Sequence, residues 1–303
     1  MSELTPLNLV PRIRLGNAVD DVVTWLQDHC SGFFDAISHA INSTVDWLAG
    51  ELLSLPIIAV VVVLTLIALL ARGWQTAVLA AVGFLLIDGF DQWSNAMQTL
   101  ALIVVAGLIA VLLSVPLGIL AAKSRIASLV IRPALDFMQT LPAFVYLLPT
   151  LFLFGLGYAT ATLATIVFAM PPGVRLTELG IRQVDAETVE AGHAFGATPG
   201  RILRGVQIPL AMPTIMAGVN QVIMLALSMV VIGGMVGAEG LGGSVVQALS
   251  TLDIPLGAEA GVSVVILAIY LDRVTAGLGG QTESGLARIR RLVRRSRLAA
   301  ATA

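Results

Sequence analysis

The feature that most limits this chain is a set of apolar runs long enough to cross a bilayer. They begin at Leu55 and cover residues 55–71, 75–87, 99–122, 137–154, 155–172, 213–236 and 257–278. Crossing roughly 30 Å of hydrocarbon takes about 20 helical residues. The runs lack the two-residue alternation of a barrel strand, and a helix satisfies every backbone group within its own segment. The run at 75–87 is short, and a re-entrant or interfacial piece is the alternative there. Only 12% of the 303 residues are charged and 57% are hydrophobic, whereas a soluble domain averages roughly 25% charged. Such a surface needs lipid around it. We expect an all-α membrane protein of about seven transmembrane helices.

Basic residues near helix ends set the orientation. Lys123, Arg125 and Arg132 lie between the third and fourth runs, and Arg175, Arg182, Arg201 and Arg204 between the fifth and sixth. Six arginines, from Arg288 to Arg297, follow the seventh. Two helices separate each group from the next, so all three share one side, the cytoplasm. Asp88, Asp91, Glu239, Asp253 and Glu259 mark the other side. Seven spans place the N-terminus outside and the basic tail, 280–303, in the cytoplasm. No cleavable leader is expected, because the first ten residues lack a basic stretch followed by an apolar core.

Residues 1–53 read as an amphipathic, extracytoplasmic scaffold, and 54–97 as two peripheral spans. Val19, Val22, Val23, Leu26, Phe33, Ile37, Ile41, Val45 and Leu48 recur mostly at three- or four-residue steps, one apolar face of a helix or helix pair. Trp25 and Trp47 suit a membrane interface. The acidic polar face opposes docking on anionic lipid, and a soluble helical cap is the other reading. Farther on, Pro142 and Pro149 each remove a backbone donor and are expected to kink the fourth span, exposing carbonyls that a transport path can use.

The most specific local signal lies in the loop at about 174–210. Asp185 is a good helix N-cap, with Glu187 in the first turn, where the helix dipole favours acids. This predicts a short helix to about Phe195. Thr198 followed by Pro199 predicts a second short helix to about Val206, before Pro209. Two short, rigid helices at an angle would make a cytoplasmic knob. The spacing Glu190-Ala191-Gly192, three residues, Gly196, nine residues, Val206-x-Ile208-Pro209 resembles the signature loop of ABC importer permeases. Gly192 stands where that family usually has alanine, a change costing up to about 1 kcal/mol of helix propensity. The stretch 138–149, the run Leu271-Asp-Arg-Val-Thr275 and the glycine-rich run from Gly237 resemble the glycine betaine/proline/choline group of these binding-protein-dependent permeases. The likeness covers about 98–279.

The resemblance implies a MetI-like five-helix core over 98–279, working as a homodimer above two ABC ATPase subunits. It also implies an extracytoplasmic substrate-binding protein and a bacterial plasma membrane location. Glu190, Ala191, Gly192, Gly196, Val206, Ile208 and Pro209 would form the ATPase-coupling surface. The chain itself lacks a phosphate loop: its sole lysine, Lys123, follows Ala122. ATP and Mg are expected on the partner subunits and no cofactor on this chain. Cys30 is alone, and His29, His39 and His193 share no metal-ligand spacing, so no metal site is expected. No serine, histidine and acid arrangement for catalysis is seen, and no nucleic-acid partner is implied.

Cargo of the quaternary ammonium class (glycine betaine, choline, proline betaine or carnitine) follows from the group resemblance. Aromatic faces hold such cations, which makes Phe144, Tyr146 and Tyr158 candidates for the path, although packing is the plainer role for each. Asn220 and Gln221 either line the path or join helices. Asp272 and Arg273 read as a structural pair. Two alternatives remain at this point: a permease of the same family for another small solute such as an amino acid, and an ion-coupled secondary transporter. The latter needs intramembrane acids and internal repeats, and the apolar runs are nearly free of acids.

Overall fold

The computed structural model describes residues 15–278, and the arginine-rich tail lies outside the described residues. Among the described residues twelve α-helices follow one another: α1 (Leu15–Ser54), α2 (Ile57–Arg72), α3 (Trp74–Gly89), α4 (Trp93–Lys123), α5 (Arg125–Thr140), α6 (Ala143–Phe154), α7 (Tyr158–Arg182), α8 (Ala186–Ala194), α9 (Pro199–Ile202), α10 (Ile208–Gly233), α11 (Leu241–Thr251) and α12 (Ile254–Leu278). A π turn, Leu203–Gln207, joins α9 to α10, and a 3-10 turn, Gly234–Val236, follows α10. No strand occurs among the described residues.

The centre is a three-helix unit of α4, α7 and α10, held by small residues. A Cβ on Gly118 of α4 would lie 2.5 Å from Thr177 Cβ of α7. One on Gly173 of α7 would lie 2.5 Å from Ser114 Oγ of α4 and 2.8 Å from Val222 Cγ2 of α10. Lipid offers no hydrophobic drive for helix association, so close backbone approach through small residues supplies the packing. On one side, α12 packs against α2 and α3. There Tyr270 is buried, donates its hydroxyl to Leu64 O at 3.2 Å, and meets the Phe84 ring edge-on at 5.0 Å between centroids.

Four helical stretches are long and apolar enough to span alone: Trp93–Lys123, Tyr158–Arg182, Pro199–Val236 and Ile254–Gly277. Two bent pairs raise this to six: Asp20–Ser54 with Ile57–Arg72 at 109°, and Arg125–Thr140 with Ala143–Phe154 at 101°. The short run at 75–87 becomes α3, whose 16 residues extend only about 24 Å at 1.5 Å per residue. The seven expected spans thus correspond to helices, but seven full crossings are more than these lengths provide.

Several boundaries differ from the reading of the sequence. The fourth run is two helices, because Pro142 stops one and starts the other; Pro149 sits inside α6 without ending it. The fifth does not stop at Pro172 but continues through Pro171 and Pro172 to Arg182. This stretch of α7 is flanked by α4 and α10, and neighbouring helices are what lets a spanning helix tolerate internal proline. The helix α11 was not expected. It begins after Gly240 (φ 114), and its first amide, Leu241 N–H, donates to Thr99 Oγ1 at 2.8 Å.

The N-terminal region is one long helix kinked at Cys30. Its apolar face packs only in the second half: Ile41 and Val45 are buried, whereas Val22 and Phe33 are exposed. Phe34, one position on, instead meets Phe154 edge-to-face at 5.3 Å. Three side chains of α1 reach the join between α6 and α7. Gln27 donates to Phe152 O, Ser38 donates to Phe154 O, and Asn42 Oδ1 accepts Ala159 N–H at 2.9 Å.

Candidate coupling surface

The segment between α7 and α10 projects from the helix bundle. Asp185 caps α8, its carboxylate accepting Glu187 N–H at 3.1 Å, and Phe195 ends the helix where the sequence placed its end. Gly196 follows with φ 75, a left-handed turn that favours glycine. No residue of α8 is buried, and Glu190 and Ala191 are exposed. Glu190 makes no ion pair among the described residues. Gly192 faces α9: a Cβ there would sit 3.2 Å from Ile202 Cγ1, and Ile202 is buried. Glycine at this position therefore lets α8 lie close on the start of the next helix. Replacing Asp185 by alanine is expected to cost about 1 kcal/mol of α8 stability, read as faster amide exchange across 187–194 with no change in the spans.

The second expected knob helix is not separate. Pro199–Val236 runs as one helical stretch of 38 residues. Pro209 has no N–H to give to the carbonyl of Gly205, and the turn before it widens, Ile208 N–H donating to Leu203 O. Val206 and Ile208 are half-buried and Pro209 is exposed on this joint. A displacement of the knob therefore passes into α10 with no loop between them.

One residue that the sequence did not single out dominates this surface. Phe195 is 93% exposed, at the tip beside Gly196. Its ring adds an apolar group to the otherwise polar tip. The signal was a large apolar residue next to a turn glycine, outside any amphipathic pattern.

The proposed path residues divide. Phe144 and Gln221 are exposed. Tyr146 and Tyr158 are buried, Tyr146 donating to Met138 O and Tyr158 to Glu239 Oε2 at 3.3 Å. Within the single chain both tyrosines are packed and hydrogen-bonded. Asn220 joins α10 to α12: its amide donates to Asp272 Oδ1 at 3.0 Å and its carbonyl accepts from Thr275 Oγ1. Asp272 thus has Asn220 as its nearer partner, with Arg273 at 4.0 Å.

A second polar junction was hidden by the early end assigned to the fifth span. Glu178 of α7 is 3% exposed. It accepts from Ser128 Oγ at 2.9 Å and Arg132 Nη2 at 2.9 Å, both on α5, and Arg182 Nε lies 2.9 Å away. Arg182 also donates to Ala121 O at 2.8 Å. One carboxylate therefore ties α7 to α5, and Arg182 extends the tie to the end of α4, three residues before the cap of α8.

Residues 114–278 match the family described as "Binding-protein-dependent transport system inner membrane component". The chain is 43% identical to the glycine betaine transport system permease protein OpuAB of Bacillus subtilis, covering 90% of this chain and 96% of that one. It is 44% identical to the glycine betaine/proline betaine transport system permease protein ProW of Escherichia coli, covering 90% and 77%. Its fold matches a chain from inward-facing conformations of the MetNI methionine ABC transporter, with TM-score 0.57 at 24% identity over 62% of this chain and 94% of that one. The family match over 114–278 and the 43–44% identity to these permeases over 90% of the chain show that the chain belongs to the family of binding-protein-dependent transport system inner membrane components.

Proposed function

We propose that this chain is the permease subunit of an ATP-driven importer for quaternary ammonium solutes, with glycine betaine and proline betaine as cargo. The observation that carries the proposal is the 43% identity over 90% of the chain with a permease named for glycine betaine. The exposed, capped segment from Asp185 to Gly196 supports the mechanism. Two ATPase subunits holding MgATP grip this segment from the cytoplasm. Their closure pushes on α8, and the continuous helix from Pro199 carries the movement into α10. Two copies of the chain enclose the path, and a binding protein delivers solute from outside. Glu190, Ala191, Gly196 and Phe195 form the grip. Val206, Ile208 and Pro209 form the stiff joint behind it. Phe144 and Gln221 remain available to a path between copies; Tyr146, Tyr158 and Asn220 do not.

An ion-coupled mechanism would need an acid free to load and unload. Glu178 is held by two arginines and Asp272 by Asn220, which argues against it. The test is uptake in membrane vesicles holding the chain with its ATPase and binding protein. Radiolabelled glycine betaine is expected to enter only with ATP, and histidine not to compete. Competition by histidine would move the cargo class; uptake by the purified chain alone on an ion gradient would end the ATP-driven reading.

A further inference from the structure

We propose that the cleft where α4, α5 and α7 meet binds the phosphate of an anionic phospholipid. Two adjoining cavities, about 320 Å³ and about 420 Å³, share Arg132 and Arg182 in their walls. Arg175 lines the first, and Lys123 and Arg125 line the second. Against these five cations stand two carboxylates, Asp136 and Glu178, so three positive charges are in excess. Asp136 is paired with Arg175, and Glu178 with Arg132 and Arg182. Lys123 has only the neutral Gln207, 2.6 Å away, and Arg125 ion-pairs with no acid among the described residues. The start of α5 lies here too, capped by Ser124, and its positive dipole end adds to the field.

The other face of α5 chooses between a soluble phosphate and a lipid. Arg125, Ser128, Arg132 and Asp136 recur at helical spacing along the side that meets α7. Ile126, Val130 and Phe137 occupy another side and are exposed, while Leu129, also exposed, lines the second cavity beside Arg125 and Arg132. A ligand for both faces carries an acidic headgroup and an apolar tail, placed where cationic clefts between spans take anionic headgroups. This rests on the reading of this end as cytoplasmic, but on neither cargo nor motor.

The test is native mass spectrometry of the purified full chain titrated with phosphatidylglycerol, phosphatidylcholine or inorganic phosphate. Phosphatidylglycerol is expected to stay bound where phosphatidylcholine does not. Each surface cation is worth about fivefold in affinity, so the double variant Lys123→Gln with Arg125→Gln is expected to weaken retention by about thirtyfold. Neither residue belongs to the Glu178 junction, and the control Lys123→Arg with Arg125→Lys should restore retention. Equal retention of the two lipids, or unchanged retention by the double variant, would overturn the proposal. Displacement of lipid by inorganic phosphate alone would assign the cleft to a soluble anion. A Val130→Cys crosslink between two copies, in a Cys30→Ser background, would show that protein and not lipid covers the apolar α5 face. Uptake assays are not involved, so a failed cargo assignment leaves this result readable.

Discussion

Leucine at position 173 is expected to prevent the chain from accumulating in the membrane in a folded form. Even one added carbon at Gly173 would sit 2.5 Å from Ser114 Oγ and 2.8 Å from Val222 Cγ2. Ser114 and Val222 are both fully buried, so neither has open space to retreat into. Overpacking a dense site costs about 1–3 kcal/mol where neighbours can shift. Here three more carbons must enter the junction of α4, α7 and α10, and the loss should exceed that range. Gly173→Ala should be milder, and Ser114→Gly should recover part of its loss, since Ser114 supplies the nearest clash. Fluorescence-detected size exclusion of detergent extracts reads all three. A monodisperse, wild-type peak for Gly173→Leu would mean that α4, α7 and α10 are not packed as described.

The second large effect concerns the grip. Glu190→Lys is expected to abolish co-purification of the ATPase while the permease inserts normally. Glu190 is exposed and has no ion pair among the described residues, so its reversal leaves the fold unstrained. A like charge facing a partner built for the opposite sign costs several kcal/mol, a loss above about a hundredfold. Phe195→Ala tests the apolar half of the same contact. A buried aromatic hot spot is worth at least about 2 kcal/mol, or roughly thirtyfold. Unchanged recovery of the ATPase with both variants would remove the coupling role from this surface.

Helical class, family and the start of α8 were legible in the sequence because each rests on local signals. Apolar length needs lipid, Asp185 caps the amide two residues on, and Gly196 turns the chain. What was not legible depends on neighbours. Pro171 and Pro172 look like a stop, yet α7, packed between α4 and α10, gains ten residues beyond them. That extension puts Glu178 in the bundle, where arginines from two helices meet it. Pro142 and Pro149 look alike in sequence, and only the first coincides with the 101° break. The chain after Thr198 reads as a separate helix before Pro209, but a single wide turn accommodates that proline. Tyr146 and Tyr158 are chemically suited to a cationic solute, and their burial is a property of the fold alone.

The bond from Asn42 to the first turn of α7 spans 117 residues of sequence. During synthesis α1 emerges early, and the segment it completes arrives only after five further helices have left the ribosome. Until then α1 can pack on α4, but its contacts with α6 and α7 are unmade. Insertion of this protein should therefore include a late docking step, and a chain arrested before residue 159 should leave its N-terminal helix open to protease.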